Sequence, residues 1–223
     1  MKGSLSPKVK ICCISSTAEA ALAMKYGADA LGLVGAMPSG PGIITDNQIK
    51  EIAVYIPPHV DSFLLTSETS ASAIIAHHQK VNTTTIQLVD TLQEGSYAEI
   101  KSTLPDIKLV QVVHVRSEAD VATAVALSEQ VDALLLDSGN PDLKVKELGG
   151  TGRTHDWKLS KLIREESKAP VFLAGGLNST NVQAAIAAVQ PFGVDLCSGV
   201  RTVKQLDEKK LAAFFDAVRG NVD

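Results

Sequence analysis

The chain has 223 residues, of which 45% are hydrophobic and 4% aromatic, so Ala, Val, Leu and Ile must build its core, as in parallel strands covered by helices. It has 21 basic and 25 acidic side chains. The sequence has no cluster of Lys and Arg among aromatic residues, so no nucleic-acid partner is expected. No apolar run reaches the roughly 18 residues of a membrane span, so no membrane partner is expected either.

The cysteines are three in number, Cys12, Cys13 and Cys197. An odd set with two adjacent members is a poor disulfide framework and lacks the spacing of a structural zinc site. The pattern therefore predicts reduced thiols in a cytoplasmic protein, with no metal and no cofactor.

Apolar, β-branched runs alternate with stretches of helical periodicity along the whole chain. The runs cover 9–14, 30–34, 62–65, 85–88, 108–113, 133–136, 170–174 and 193–197. The helical stretches cover 17–25, 46–55, 70–78, 117–127, 157–166 and 180–189. Residues 93–104 are poorly periodic, so the fourth helix is expected to be short or irregular.

Eight strand–helix units without a dividing linker predict one domain over residues 1–223, an α/β fold of the (β/α)8 TIM-barrel type. An open Rossmann sheet is the rival, but the sequence after the first strand lacks the glycine fingerprint of that fold. Several helices are predicted to begin after a hydroxyl side chain that caps the backbone, at Ser16 or Thr17, Thr45, Ser117 and Ser179.

Cys12 and Asp137 are the candidate catalytic residues. Cys12 is expected at the end of the first strand and Asp137 directly follows the apolar run 133–136, and in a parallel barrel the ends of the strands carry the chemistry. A free Cys on a buried strand is often a small apolar filler. A buried carboxylate, by contrast, is costly unless hydrogen bonds compensate it, so its presence indicates such bonds or a functional role. A thiol and a carboxyl group across one barrel mouth make a plausible base and acid pair. Lys10 is expected to point to the opposite face from the thiol and is not assigned to its activation.

Two glycine turns after the last two strands predict a site for a phosphate monoester, so a small phosphorylated substrate is expected. Asp195, in the last strand, is expected to order these turns or to contact a sugar hydroxyl. A third cluster in the long segment before Trp157 is interpreted as a mobile lid over the substrate. The turns and the lid comprise Gly175, Gly176, Ser198, Gly199, Gly149 and Gly150.

Six segments together resemble the signatures of the phosphoribosylanthranilate isomerase family, in register over almost the entire chain. They are VKICCI at 9–14, YGADALG at 26–32, LLD at 135–137, GGTGRTHDW at 149–157, AGGLN at 174–178 and VDLCSGV at 194–200.

The resemblance implies an Amadori rearrangement of phosphoribosylanthranilate on the route to tryptophan. By analogy with the family, Asp137 would protonate the ring oxygen as the furanose opens, and Cys12 would remove the proton from C2 of the resulting Schiff base. Whether the protein is a monomer or a homodimer stays open.

The chain departs from the family at the side of the pocket expected to hold the aromatic ring. Cys13 stands where the family has Gly, and Gly42 stands where the family places an Arg against the anthranilate carboxylate. The residues after Leu88 and those at the end of the third strand also differ, and Arg201 replaces a family Glu.

Three interpretations remain open. The chain has the standard activity with its carboxylate contact moved to Arg201, Arg153 or Arg116, since a guanidinium can hold a carboxylate bidentately. Alternatively it isomerises a different phosphorylated ribosyl amine or sugar, in which case replacing Gly42 with Arg is expected to improve use of phosphoribosylanthranilate. The third is a barrel that binds a phosphorylated metabolite without turning it over.

Overall fold

The computed structural model describes residues 6–139 and 155–220, in which eight parallel strands pair in chain order and close into a barrel. The predicted (β/α)8 architecture is confirmed. The strands are β1 Lys8–Ile11, β2 Ala30–Val34, β3 Asp61–Thr66, β4 Thr85–Leu88, β5 Lys108–His114, β6 Ala133–Asp137, β7 Val171–Leu173 and β8 Gly193–Leu196. A small hairpin of β9 Arg201–Thr202 and β10 Gln205–Leu206 follows the barrel.

Helices surround the strands, and the eighth helix, for which no bounds were predicted, follows the hairpin. They are α1 Thr17–Tyr26, α2 Asp46–Tyr55, α3 Ala71–Val81, α4 Tyr97–Thr103, α5 Ala119–Leu127, α6 Trp157–Glu166, α7 Val182–Val189 and α8 Glu208–Arg219. The fourth is short, as predicted, with 7 residues. No helix in the described ranges is both long enough and apolar enough to cross a membrane.

Helix starts were predicted correctly where the capping side chain contacts the backbone directly. Ser16 accepts a hydrogen bond from the Glu19 amide, and Thr45 forms a capping box with Gln48. The caps at Ser117 and Ser179 were wrong, because α5 and α7 begin two or more residues later. The Ser117 hydroxyl instead bonds the carboxylate of Asp120.

The barrel interior is filled by side chains of alternating size, so that bulky groups from one strand occupy space left by small ones on the next. Phe63 and Phe172 meet edge to face with ring centroids 6.2 Å apart. Gly193, on the strand beside Phe172, has no side chain, and a Cβ there would lie 2.5 Å from that ring. The larger apolar cluster lies outside the barrel, between the strands and the helices.

The first strand is shorter than predicted and ends at Ile11 rather than at residue 14. The reason is the backbone of Cys13, whose φ of 63° is incompatible with an extended strand. Cys12 and Cys13 therefore belong to the turn that leaves the barrel.

We predict that Gly193→Ala destabilises the protein by about 1–3 kcal/mol, because the added methyl group overlaps the Phe172 ring. Urea unfolding measures the loss. The double variant Gly193→Ala with Phe172→Leu should be more stable than the sum of the single effects predicts, since Leu vacates the ring's space. Strict additivity would refute this packing.

Candidate active site

A cavity opens at the carboxyl ends of the strands and encloses about 710 Å³, its open mouth included. Cys12 and Asp137 both line it, so the predicted acid and base share one site. Gly175, Gly176 and Ser198, from the turns at which the sequence predicts a phosphate site, line it as well. The strands bring together groups that are more than a hundred residues apart in sequence.

Cys12 is fixed at the floor of this cavity by the closing seam of the barrel. Its amide donates to the Leu196 carbonyl at 2.9 Å, which extends the pairing of β1 with β8 by one residue. Gly32 on β2 leaves room for the thiol, because a Cβ there would lie 2.9 Å from the Cys12 Sγ. The side chain is buried, with 6% of the residue exposed.

Lys10 points into the barrel, contrary to expectation. Residues 10 and 12 are two apart on a strand, so their side chains share a face. The Lys10 ammonium is fully buried, bonds a carboxylate oxygen of Asp195 at 2.9 Å and lies 5.1 Å from the centre of the Phe63 ring. Burial alone would lower the pKa of Lys10, but the Asp195 carboxylate raises it above its usual value, so the ammonium stays charged.

The Cys12 thiol is poised to ionise. The neighbouring Cys13 side chain lowers the pKa of Cys12, burial opposes this, and the Lys10 charge lowers it further. The net shift is downward from the ordinary thiol value. A larger thiolate fraction at neutral pH makes Cys12 a more available base.

Asp137 is shifted in the opposite sense. Burial raises the pKa of its carboxyl, while the amide of Ser138, which donates to it at 2.7 Å, and the neighbouring His114 pull the pKa down. Burial also favours the neutral form of His114, the register partner of Asp137 on β5, and therefore lowers the pKa of that histidine. A carboxyl group held towards its neutral form can donate a proton, as a general acid must.

The two glycine turns lie side by side at one end of the cavity. Gly175 and Gly176 have positive φ angles of 84° and 62°. Gly199 packs directly against the backbone of Leu177, and a Cβ there would collide with the Leu177 carbonyl oxygen. Gly199 is therefore required for the contact between the turns, although it is not among the residues that line the cavity.

Arg201 does not line the cavity, which departs from its expected contact with the substrate. Its guanidinium forms a buried ion pair with Glu19 at 2.8 Å and donates to the carbonyls of Cys13 at 2.6 Å and Cys12 at 3.3 Å. Burial lowers the pKa of Arg201, but the bond to Glu19 outweighs it and the pKa is raised. The geometry gives this residue the role of holding the turn after β1.

Gly42 lies against Cys13, in a backbone conformation with φ of 78°. A Cβ at this position would lie 2.5 Å from the Cβ of Cys13. The two departures from the family pattern are thus one feature: the side chain at residue 13 occupies the space that a side chain at residue 42 would need.

No lysine or arginine stands among the described residues that line the cavity. The buried cations Lys10 and Arg201 are already paired, with Asp195 and Glu19 respectively. Arg116 follows β5 at the same end of the barrel. The predicted substrate residues Gly149 and Gly150, the lid and Arg153 lie outside the described residues.

Comparisons with known proteins agree with this geometry. Residues 9–217 match the family model described as N-(5'-phosphoribosyl)anthranilate (PRA) isomerase. An isomerase of that name from Methanocella arvoryzae is 32% identical over 95% of this chain and 98% of its own length. One from Methanosarcina acetivorans is 35% identical over 98% of this chain and 95% of its own length.

Solved structures give the same result. The phosphoribosyl anthranilate isomerase from Thermotoga maritima is 29% identical with a TM-score of 0.79, covering 96% of this chain and 99% of that one. A structure in complex with reduced 1-(o-carboxyphenylamino)-1-deoxyribulose 5-phosphate is 27% identical with a TM-score of 0.77, over the same shares.

The structure changes the expectation for Gly42→Arg. We predict that this single variant is destabilised by about 2 kcal/mol, from the left-handed backbone and the overlap with Cys13. In a Cys13→Gly background the same change should cost less, because the overlap is gone. Denaturant unfolding of the four proteins measures the coupling. Equal costs in both backgrounds would show that residues 13 and 42 do not compete for space.

Proposed function

Because the chain belongs to the N-(5'-phosphoribosyl)anthranilate isomerase family, we propose that it converts N-(5'-phosphoribosyl)anthranilate into its 1-deoxyribulose 5-phosphate derivative in tryptophan biosynthesis. The observation that carries the proposal is that Cys12 and Asp137 line one cavity with pKa values shifted in opposite directions. The reaction is an aldose–ketose isomerisation, an intramolecular oxidoreduction.

In the first step Asp137, in its neutral form, gives its proton to the furanose ring oxygen. The bond from that oxygen to C1 breaks, and the nitrogen lone pair forms a Schiff base with C1. In the second step the Cys12 thiolate removes the proton from C2. The electron pair left behind forms a double bond between C2 and C1, and the electron pair of the Schiff base returns to the nitrogen. The C2 hydroxyl then loses its proton and becomes a carbonyl as C1 takes up a proton. C2 is oxidised and C1 reduced, so the electrons balance within the substrate.

The phosphate group is proposed to bind at the paired glycine turns. Backbone N–H groups there can approach an anion because no bulky side chain intervenes. Gly175, Gly176, Ser198 and Gly199 supply these groups in the proposal. Asp195 lines the cavity with one carboxylate oxygen bonded to Lys10, and we assign its other contacts to a sugar hydroxyl.

A second candidate is the same isomerisation on a phosphorylated ribosyl amine with a different aglycone. It is favoured by the lack of a cation among the described residues that line the cavity. In the first candidate Arg116 or Arg153 would meet the anthranilate carboxylate. Loss of anthranilate-type fluorescence during turnover, together with growth of a tryptophan auxotroph that lacks this step, supports the first candidate. Failure of both, with tight binding of a phosphorylated ribosyl amine that lacks the carboxylate, supports the second.

Oligomeric state and cellular location are proposed from the family alone. One similar solved structure is of monomers generated from the dimeric Thermotoga maritima enzyme. We propose a cytoplasmic monomer or homodimer for this chain, which light scattering on the purified protein distinguishes.

We predict that Cys12→Ser lowers kcat by several orders of magnitude, since a hydroxyl is a far weaker acid than a thiol and supplies almost no anionic base at neutral pH. The fluorescence assay measures the loss. Circular dichroism should show the same fold and a melting temperature close to that of the unmodified protein. Retained turnover would place the base elsewhere.

We predict that Asp137→Asn abolishes turnover and leaves the affinity for a reduced substrate analogue nearly intact, because the amide cannot give up a proton to the ring oxygen. Calorimetry measures the affinity. Asp132→Asn is the matched control: Asp132 precedes the same strand at the far end of the barrel, where it pairs with Lys101 at 2.7 Å. That control should keep its activity. An active Asp137→Asn variant would remove Asp137 from the role of acid.

A further inference from the structure

We propose that Cys13 is a positioning residue whose thiol donates a hydrogen bond to the ionised sulfur of Cys12 and so keeps the base charged. The inference rests on the proposed function, in which Cys12 is the base. It gives a role to a residue at which the chain departs from the pattern of the family it belongs to.

The backbone turns both thiols into the same cavity. Adjacent residues on a strand point to opposite faces, so an extended Cys13 would face the helices. Its φ of 63° instead brings its side chain back, and Cys12 and Cys13 both line the cavity. Cys13 is buried, and its Sγ lies 3.6 Å from the Pro41 carbonyl oxygen.

This conformation is held from outside the turn. A residue other than glycine is strained in the left-handed region, and such strain persists only where the surroundings fix it. The guanidinium of Arg201 donates to the Cys13 carbonyl at 2.6 Å, and Glu19 fixes that guanidinium from the other side. Strain of this kind is concentrated at functional sites.

The Cys13 thiol has a single proton to donate. Its Sγ lies 3.6 Å from the Pro41 carbonyl oxygen, and the sulfur-bearing residues Cys12 and Cys197 line the same cavity and offer alternative acceptors. A bond to a charged acceptor is about twice as strong as one to a neutral acceptor, so the proton turns to Cys12 once Cys12 ionises. The bond lowers the pKa of Cys12 and, with the bond to Cys197 and burial, raises the pKa of Cys13. Cys13 therefore keeps its proton while Cys12 loses one.

Other charged groups face the thiols from neighbouring elements. Lys10 on β1 favours the thiolate of Cys12, and Asp195 on β8 opposes it. Arg201 contacts the backbone of both cysteines. None of these groups is altered in a variant of Cys13, so such a variant isolates the contribution of the thiol.

The test compares Cys13→Ala, which removes the donor, with Cys13→Ser, which keeps one. The pH dependence of alkylation by iodoacetamide is followed by mass spectrometry on the tryptic peptide that begins at Ile11, in which Cys12 is then the sole cysteine. We expect the midpoint for Cys12 to lie about one pH unit higher in Cys13→Ala than in Cys13→Ser. Because the base acts as the anion, the acid limb of the pH profile of kcat/KM should lie at higher pH in Cys13→Ala than in Cys13→Ser, by the same amount.

Equal alkylation midpoints in the two variants would overturn the proposal. If the alkylation midpoints differ but the acid limb of the pH profile of kcat/KM does not move, the hydrogen bond is supported and Cys12 is not the base. Should Cys13→Ala not fold, Cys13→Gly replaces it, since glycine adopts the left-handed conformation without strain and also lacks a donor.

Discussion

The ion pair between Lys10 and Asp195 spans the seam at which the first and last strands close the barrel, since the two residues are register partners. Neither charge could be buried alone, because an unpaired ion in a low-dielectric interior is strongly destabilising. The pair fixes the relative height of β1 and β8. That height determines where the Cys12 thiol and the glycine turn after β8 meet, so the geometry of the site depends on it. Its ammonium also supplies positive charge beneath the thiol.

A second ion pair, between Glu19 and Arg201, lies at the turn that follows β1. Glu19 and Arg201 are 182 residues apart, yet their contact holds the carbonyl groups of the turn that carries both cysteines. The side chains of Glu19 and Arg201 are 13% and 7% exposed, so solvent screens the pair much less than it would on the surface. Helix α1 and the hairpin after β8 are thereby tied to the end of β1.

The fold and the acid–base pair could be predicted from the sequence because their signals are local. Alternation of apolar runs and helical stretches indicated eight units, with Cys12 in the first run and Asp137 directly after the sixth. The positions of Lys10 and Arg201 could not be predicted as easily. The face of Lys10 follows from counting two residues back from Cys12, but its burial requires a partner on a distant strand. Arg201 has the chemistry of a carboxylate-binding residue, and only three-dimensional contact reveals that Glu19 occupies it.

The packing of Cys13 against Gly42 also constrains how this chain can have diverged from other members of its family. A side chain at residue 42 and one at residue 13 compete for the same space on the present backbone, so the protein that carries both is destabilised. An ancestor with the family's Gly and Arg at these positions avoids that combination by losing the Arg before, or together with, gaining the Cys. The path back runs in the reverse order, through Gly at both positions. The two sites form an epistatic pair, and an intermediate along that path has neither the guanidinium nor the second thiol.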